Sequence, residues 1–483
     1  MSAEWISYKL GELTEWFSGG TPSKKNSGYW DGDIPWISAS SMGGSRYSDS
    51  ELKITKKGLE AGSRLAGRGS ILLLVRGSTL HKRVPVGIAD RDVAFNQDVK
   101  AIKVKPTVVA SQVADEIYLY YWFKANEQRL LEMVEHTGIG AGKLDTKRLQ
   151  NLEIRLPCWS EQRRIVAAAT ALNEKEILNS SINQTLEQMA QAIFKSWFVD
   201  FEPIKAKIAA LEAGGSEEDA LLAAMQAISG TSLFDADASA AGAGEQLARL
   251  QAEHPEQYAK LRATAELFPS AMQDSELGEI PEGWEAGSFK DLCEKIESGG
   301  TPKRKISEYW GDEIKWLSSG EVRDVIVLDT KEKITASGLK SSSAKLWPTY
   351  TTVVAMYGAT AGQVCLLADE MTSNQACCGL IPRKNFKAFT FISARRAIQS
   401  LSDKASGSAQ QNLNKGLVER HSTLLPVESV LAAYETISFP LILNWIQHMR
   451  ESATLSKLRD TLLPKLLSGE LSVSDMQNQL ADA

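Results

Sequence analysis

The chain has 483 residues, 43% of them hydrophobic and 24% charged, with a formal net charge of −6. That is enough apolar content for more than one buried core, and the length suggests roughly three units at ~150 residues each. Unbroken apolar runs such as Ile71 to Val75 fall far short of the ~20 residues a membrane span needs. The start, Met1-Ser2-Ala3-Glu4-Trp5, lacks the basic-then-apolar layout of a signal segment, so the expectation is a cytoplasmic protein with no membrane partner. Cys158, Cys293, Cys365, Cys377 and Cys378 form no C-x-x-C, which indicates neither a disulfide framework nor a zinc site.

Negative net charge argues against a polyanionic partner, but its distribution reverses the argument. Residues 206–285 carry fifteen Asp and Glu against four Lys and Arg, a net of −11, which leaves +5 for the remainder. Residues 51–105 alone hold twelve basic against five acidic side chains.

In chain order, the first element is a motif that returns. Ser18-Gly19-Gly20-Thr21-Pro22, Tyr29-Trp30, Ile34, Trp36 and Ser38 recur 280 positions later as Ser298-Gly299-Gly300-Thr301-Pro302, Tyr309-Trp310, Ile314, Trp316 and Ser318. Ile54-Thr55 and Gly58-Leu59 keep that offset, Asn96-Gln97 matches Asn374-Gln375 at 278, and Leu144 and Pro157 match Leu413 and Pro426 at 269. Such constancy means two copies of one domain, with deletions at loop tips in the second. Inside each copy, short β-rich runs such as Ser70 to Val75, Val99 to Val104 and Thr351 to Met356 alternate with polar turns, and Asp115 to Glu135 reads as helical. The expectation is an α+β domain whose repeated Trp, Gly and Pro residues build the scaffold.

Each copy ends in a long helical pattern. Glu161 to Phe198 contains no Gly or Pro over 38 positions, a helix of roughly 57 Å, with Ser160 as the expected N-cap. Ile165, Leu172, Asn179, Leu186 and Ile193 are seven apart, and the offset of 269 gives Tyr434, Leu441, His448, Leu455 and Leu462. The shared heptad predicts a coiled coil between the two helices, with Asn179 and His448 as polar register markers and Met189, Trp197, Leu458 and Leu466 flanking the seam. Pro440 and Pro464 predict that the second helix is kinked or starts late. Between the copies, Glu217 to Ile228 and Glu245 to Leu267 read as surface helices of an acidic connector.

Tests for chemistry give little. Gly138-Ile139-Gly140-Ala141-Gly142-Lys143 is not a phosphate loop, and its aligned copy retains one glycine. Glu51-Leu52-Lys53 with Asp33 resembles a nuclease metal site, but Lys331 replaces Glu51 in the second copy. The five histidines lack ligand spacing. Recognition remains, with candidate DNA-binding residues in the stretches where the copies diverge, Arg46, Arg76, Ser78, His81, Lys82 and Arg83 in the first and Arg323, Tyr357, Thr360 and Gln363 in the second, together with the matched pair Gln97 and Gln375 that bounds them. Arg and Lys pair with guanine edges or phosphate, and Gln with adenine.

The two Ser-Gly-Gly-Thr-Pro motifs, the run Met189 to Phe201, Gly278-Glu279-Ile280-Pro281-Glu282-Gly283-Trp284 and the stretch Leu458 to Leu471 together resemble the specificity subunit of type I restriction-modification systems. The resemblance covers essentially the whole chain. It implies two tandem target recognition domains, residues 1–158 and 281–426, each followed by a long spacer helix, residues 159–202 and 427–472, the two helices pairing antiparallel. Residues 203–280 are then the connector and 473–483 a tail. It also implies a non-catalytic subunit reading the two halves of a bipartite site in double-stranded DNA. Its partners would be methyltransferase subunits, two of them, that use S-adenosylmethionine, and restriction subunits that translocate DNA with ATP and Mg2+. Two rival readings are a self-sufficient metal-dependent nuclease and a protein-binding scaffold without DNA contacts.

Overall fold

The computed structural model describes residues 5–137, 140–231, 243–406 and 412–475. The chain divides into two compact units, Met1–Ile177 with Ser452–Ala483, and Leu178–Glu451. Each contains one copy of the repeat, and the five-stranded sheets of the two copies have the same topology. The five-stranded sheet of the first runs Thr14–Ser18, Val99–Val104, Ile71–Leu74, Val86–Ala89, Arg46–Tyr47; that of the second runs Cys293–Ser298, Cys377–Pro382, Thr352–Ala355, Val364–Leu367, Ile326–Val327. In both, the first four strands pair antiparallel and the short last strand is parallel to its neighbour.

The central strands are unbroken apolar runs because both faces are covered. Along Val364–Leu367, Val364 and Leu366 enter one hydrophobic cluster while Cys365 and Leu367 enter another. Cys377 and Cys378 divide between the same two clusters, so adjacent thiols point to opposite faces and all five cysteines are free. Helix Glu116–Ala125 covers the first sheet and is capped by Asp115, whose Oδ1 accepts the N–H groups of Ile117 and Tyr118 at 2.8 and 3.0 Å. Helix Lys387–Arg396 is its counterpart.

The repeated tryptophans are packing elements. Trp30 meets Trp36 edge-on at 5.2 Å, and Trp310 meets Trp316 at 5.1 Å. The inner indole of each pair donates to a glycine carbonyl of the Ser-Gly-Gly-Thr-Pro loop, Trp36 to Gly20 at 3.2 Å and Trp316 to Gly300 at 3.0 Å.

The long helices are Trp159–Phe198 and Glu428–Ser468. In the first unit, Ile165, Val166 and Ala169 pack in one cluster with Leu463, Leu466 and Leu467; in the second, Leu186, Ile193 and Trp197 share a cluster with Tyr434, Ile442 and Trp445. Early residues of one helix meet late residues of the other, so the coiled coil is antiparallel. Three expectations change. The first helix starts one residue before Ser160, with the Cys158 carbonyl accepting the N–H groups of Glu161 and Gln162 at 3.0 and 3.1 Å. The second helix does not start late: Pro440 and Pro464 lie inside it, on its exposed side, and the ~3 kcal/mol an interior proline costs is offset by flanking burial of Tyr434, Ile442, Trp445 and Leu466.

The third change concerns the acidic segment. Helices Glu202–Glu212, Glu217–Thr231, Ala243–Glu253 and Pro255–Glu266 lie on the surface as expected, but each buries one face in the core of the second unit. Ala224, Met225 and Ala265 are fully buried in the same cluster as Trp197, Phe198 and Trp284. Phe268 stands edge-on to Trp197 at 5.0 Å, and the buried Lys207 ammonium donates to the Phe268 carbonyl at 2.5 Å. Glu428–Ser468 is also long and apolar enough to cross a membrane by length and composition, but many of its apolar side chains enter these clusters.

Candidate nucleic-acid interface

Both copies hold one exposed polar node in the same way. A Cβ on Gly19 would lie 2.1 Å from the Phe95 carbonyl oxygen, and one on Gly299 would lie 2.3 Å from that of Asn374, so only glycine allows this approach of the two loops. On the facing loop, Asn96 Oδ1 accepts the Asp98 N–H at 3.1 Å and Asn374 Oδ1 accepts the Ala376 N–H at 3.0 Å, a side-chain turn that exposes the residue between. That residue is Gln97 or Gln375. The Thr21 hydroxyl donates to Gln97 Oε1 at 2.7 Å and the Thr301 hydroxyl to Gln375 Oε1 at 2.5 Å. With each oxygen engaged, the carboxamide N–H groups are the donors left for a ligand.

Around this constant node the first copy builds a basic surface. Arg76–Gly77 pairs with Ala141–Lys143, which pairs with Glu135–Thr137. Gly142 lets the hairpin seat tightly, since a Cβ there would lie 2.8 Å from Leu80 and Val134 side-chain carbons. The His81 ring stacks on His136 with centroids 4.9 Å apart. Arg76, Ser78, His81, Lys82 and Arg83 are exposed, and so are His136 and Lys143, which the sequence reading passed over. Lys143 stands opposite Arg76 in the strand register, a relation visible only once the strands pair. Gly138 and Ile139, from the glycine-rich stretch, lie outside the described residues.

Two of the predicted arginines are engaged within the fold. Arg46 grips Asp90 through Nε and Nη2 at 2.6–3.0 Å, a contact that raises its pKa and ties the edge strand to the Val86–Ala89 strand. Arg83 donates to the Met42 carbonyl at 3.2 Å and borders a cavity of about 520 Å³ that Tyr120, Lys124, Glu127 and Arg459 also line. Burial in that cavity pushes the Lys124 ammonium pKa down. Lys124 sits on a helix whose other residues read as core, so nothing in the sequence singled it out.

In the second copy Arg323 closes the turn Ser319–Arg323 and is exposed, Tyr357 is 39% exposed, and Gln363 is half-buried. Thr360 is a correction: it is 5% exposed. Its loop is pressed onto helix Ile398–Ser406, where a Cβ on Gly362 would lie 2.4 Å from Ser402 Oγ, and Ser402 donates to the Ala361 carbonyl at 3.2 Å. The Thr360 side chain therefore packs inside the fold. At the acid-x-lysine motif, Lys53 turns to Asp49 at 3.0 Å, and among the described residues no three His, Cys, Asp or Glu side chains converge.

Along the helix pair, Asn179 is fully buried and donates to Glu451 Oε2 at 2.9 Å and to the His448 carbonyl at 3.4 Å, so it meets the His448 backbone rather than its ring. His448 Nδ1 lies 3.6 Å from the same Glu451 oxygen. Leu186, Ile193, Trp197 and Leu466 are buried, whereas Leu172, Met189, Leu441, Leu455, Leu458 and Leu462 are half-buried. Glu176 accepts from Ser456 and Arg459, both at 2.8 Å.

The family model described as the type I restriction modification DNA specificity domain matches residues 2–188 and 281–426, leaving out the helical insertion. The HindI type I restriction enzyme specificity subunit of Haemophilus influenzae is 33% identical over 67% of this chain and 70% of its own length. The MjaIX specificity subunit of Methanocaldococcus jannaschii is 24% identical over 98% of this chain and 95% of its own. Among solved structures, a type I restriction-modification S subunit from M. genitalium shares the fold with a TM-score of 0.54 at 14% identity, covering 96% of both chains. The chain thus belongs to the type I restriction-modification specificity subunits, the DNA-recognition and non-catalytic component of such enzymes.

Proposed function

We propose that the chain reads a bipartite DNA site, one half with each copy of the repeated domain, and that it is the scaffold on which two methyltransferase subunits and the restriction subunits assemble. The observation that carries this reading is the matched pair of nodes, Thr21–Gln97 and Thr301–Gln375, set in one topology and bordered by different side chains. One frame holding two different surfaces suits two half-sites of different sequence. Arg76, Ser78, His81, Lys82 and Gln97 serve the first half-site, Arg323, Tyr357, Gln363 and Gln375 the second. The antiparallel helices act as a ruler whose length sets the unread gap, and their exposed side chains are offered to the partner subunits. Methyl transfer from S-adenosylmethionine and ATP- and Mg2+-dependent translocation belong to those partners.

Methylation mapping in cells that express the intact system tests this. The expected result is a split motif in which exchanging residues 281–426 rewrites one half. Inserting a heptad into each long helix should lengthen the gap while both halves persist. A continuous motif, or one that changes in both halves on a single exchange, would sink the proposal.

A further inference from the structure

The duplicated frame fixes one position at which the two copies share the backbone hydrogen bonds of the preceding residue and differ in side-chain chemistry. The central strand of each sheet, Ile71–Leu74 or Thr352–Ala355, is followed directly by Val75 or Met356. Val75 donates its N–H to the Asp98 carbonyl at 2.8 Å, and Met356 donates to the Ala376 carbonyl at 2.7 Å; both acceptors directly follow the node glutamine. The carbonyls of Val75 and Met356 accept the N–H groups of Leu144 and Leu413 at 2.9 and 2.8 Å. The next residue in each copy lies beyond the five-stranded sheet, in the first copy within the short strand Arg76–Gly77 of the hairpin sheet and in the second as the cap of a 3-10 turn, and is followed by a glycine at positive φ, Gly77 at 151° or Gly358 at 76°. Those next residues are Arg76 and Tyr357.

Both side chains are exposed, and neither makes a hydrogen bond or ion pair with the described residues, in contrast to Arg46 and Arg83. The fold therefore holds the backbone here by four matched hydrogen bonds and asks nothing of the side chain. Each directly follows a residue whose N–H is bonded to the loop that carries a constant, exposed glutamine. We propose that Arg76 and Tyr357 are the equivalent base-discriminating positions of the two copies, with the Arg76 guanidinium taking the O6 and N7 atoms of a guanine in the major groove of the first half-site. A planar five-donor fork matches those two acceptors. The Tyr357 phenol presents a single hydroxyl and a ring face, so the second copy reads its corresponding base pair by another pattern. This inference rests on the reading that each copy contacts one half-site.

The test uses the assembled enzyme with Arg76→Tyr, Arg76→Lys and Tyr357→Arg, measuring binding to duplexes in which every base pair of both half-sites is varied in turn. Thermal unfolding verifies that each variant is folded. Arg76→Tyr should lower discrimination for one guanine of the first half-site by roughly ten- to hundredfold and leave the second half-site untouched. Arg76→Lys should keep overall affinity within a few fold yet lose most of that discrimination, since an ammonium cannot bridge both acceptors. Tyr357→Arg should create a guanine preference at one position of the second half-site. A uniform loss across all duplexes on Arg76→Tyr, or no change, would overturn the pairing while leaving a bipartite wild-type site intact. A wild-type enzyme without two separable half-sites would instead remove the reading on which it rests.

Discussion

The Asn179 carboxamide reaches from one long helix to the Glu451 carboxylate of the other at 2.9 Å, in a seam that is otherwise largely apolar. A single buried amide in such a seam fixes register at a cost in stability. Asn179→Leu should therefore raise the thermal unfolding midpoint, by an amount equivalent to about 1 kcal/mol once the lost hydrogen bond is set against the added burial. The same variant should loosen the gap between half-sites, seen as methylation at sites whose spacing differs by one base pair. A lower midpoint would show that the Asn179–Glu451 bond is a net stabiliser instead.

The repeated glycines make a second expectation. Gly19→Ala forces a methyl to within 2.1 Å of the Phe95 carbonyl, and Gly299→Ala within 2.3 Å of the Asn374 carbonyl. Each should destabilise its own unit by about 3 kcal/mol or more, because backbone rather than a yielding side chain is in the way. Gly43→Ala, with no atom within 4 Å of the new carbon, is the matched control and should change stability by less than about 0.5 kcal/mol. Denaturant unfolding of the three variants checks this.

Gln97→Ala and Gln375→Ala each remove a neutral donor that is alike in both copies. Each should weaken DNA binding several-fold without altering base preference, and without altering the slope of affinity against salt. Lys82→Ala, by contrast, should reduce that slope by about one if it meets a phosphate. Binding isotherms at four salt concentrations separate the two behaviours.

A pH dependence follows from His421. Its ring packs on Phe289 at 4.8 Å, and the Lys404 ammonium lies 3.2 Å from Nδ1. Burial, then the Lys404 charge, push its pKa from the usual 6.5 down to about 4. The native state therefore resists a proton that the unfolded chain accepts, so the stability this neutral ring contributes is full above about pH 6.5 and is lost as pH falls toward 4. Unfolding of the wild type should weaken between pH 6.5 and 4.5, before most carboxylates titrate. His421→Gln should flatten that part of the profile, and an unchanged slope would count against the assignment.

Much of this was legible in the sequence because a repeat is its own alignment. The offset of 280 located the tryptophan pairs and the glycine loops, and the heptad through Asn179 marked the helical seam. Strand order was not legible, because Arg46–Tyr47 and Ile326–Val327 are two-residue strands whose pairing depends on distant neighbours. Thr360 and Tyr357 read alike as exposed polar residues, and only the press of Gly362 on Ser402 separates them. The acidic helices were legible only in part for a related reason: a high count of Glu and Asp hides an alanine- and methionine-rich face that needs little width to pack on Trp197 and Phe198. Pro440 does not delay the start of the helix, because helix propensity is local, whereas the burial that overrides it comes from another part of the chain.

The first unit is discontinuous, made of the opening 177 residues and the stretch from Ser452 onward. Leu463, Leu466, Leu467 and Val473 sit in its core, and Gly469 is so close to Trp5 that a Cβ would lie 2.7 Å from the indole ring. During synthesis the ribosome thus releases the last pieces of this core only after the whole second unit has emerged. The two units are therefore completed in the reverse of their order along the chain: the second is contained in one uninterrupted stretch, while the first lacks part of its core until the chain returns to it.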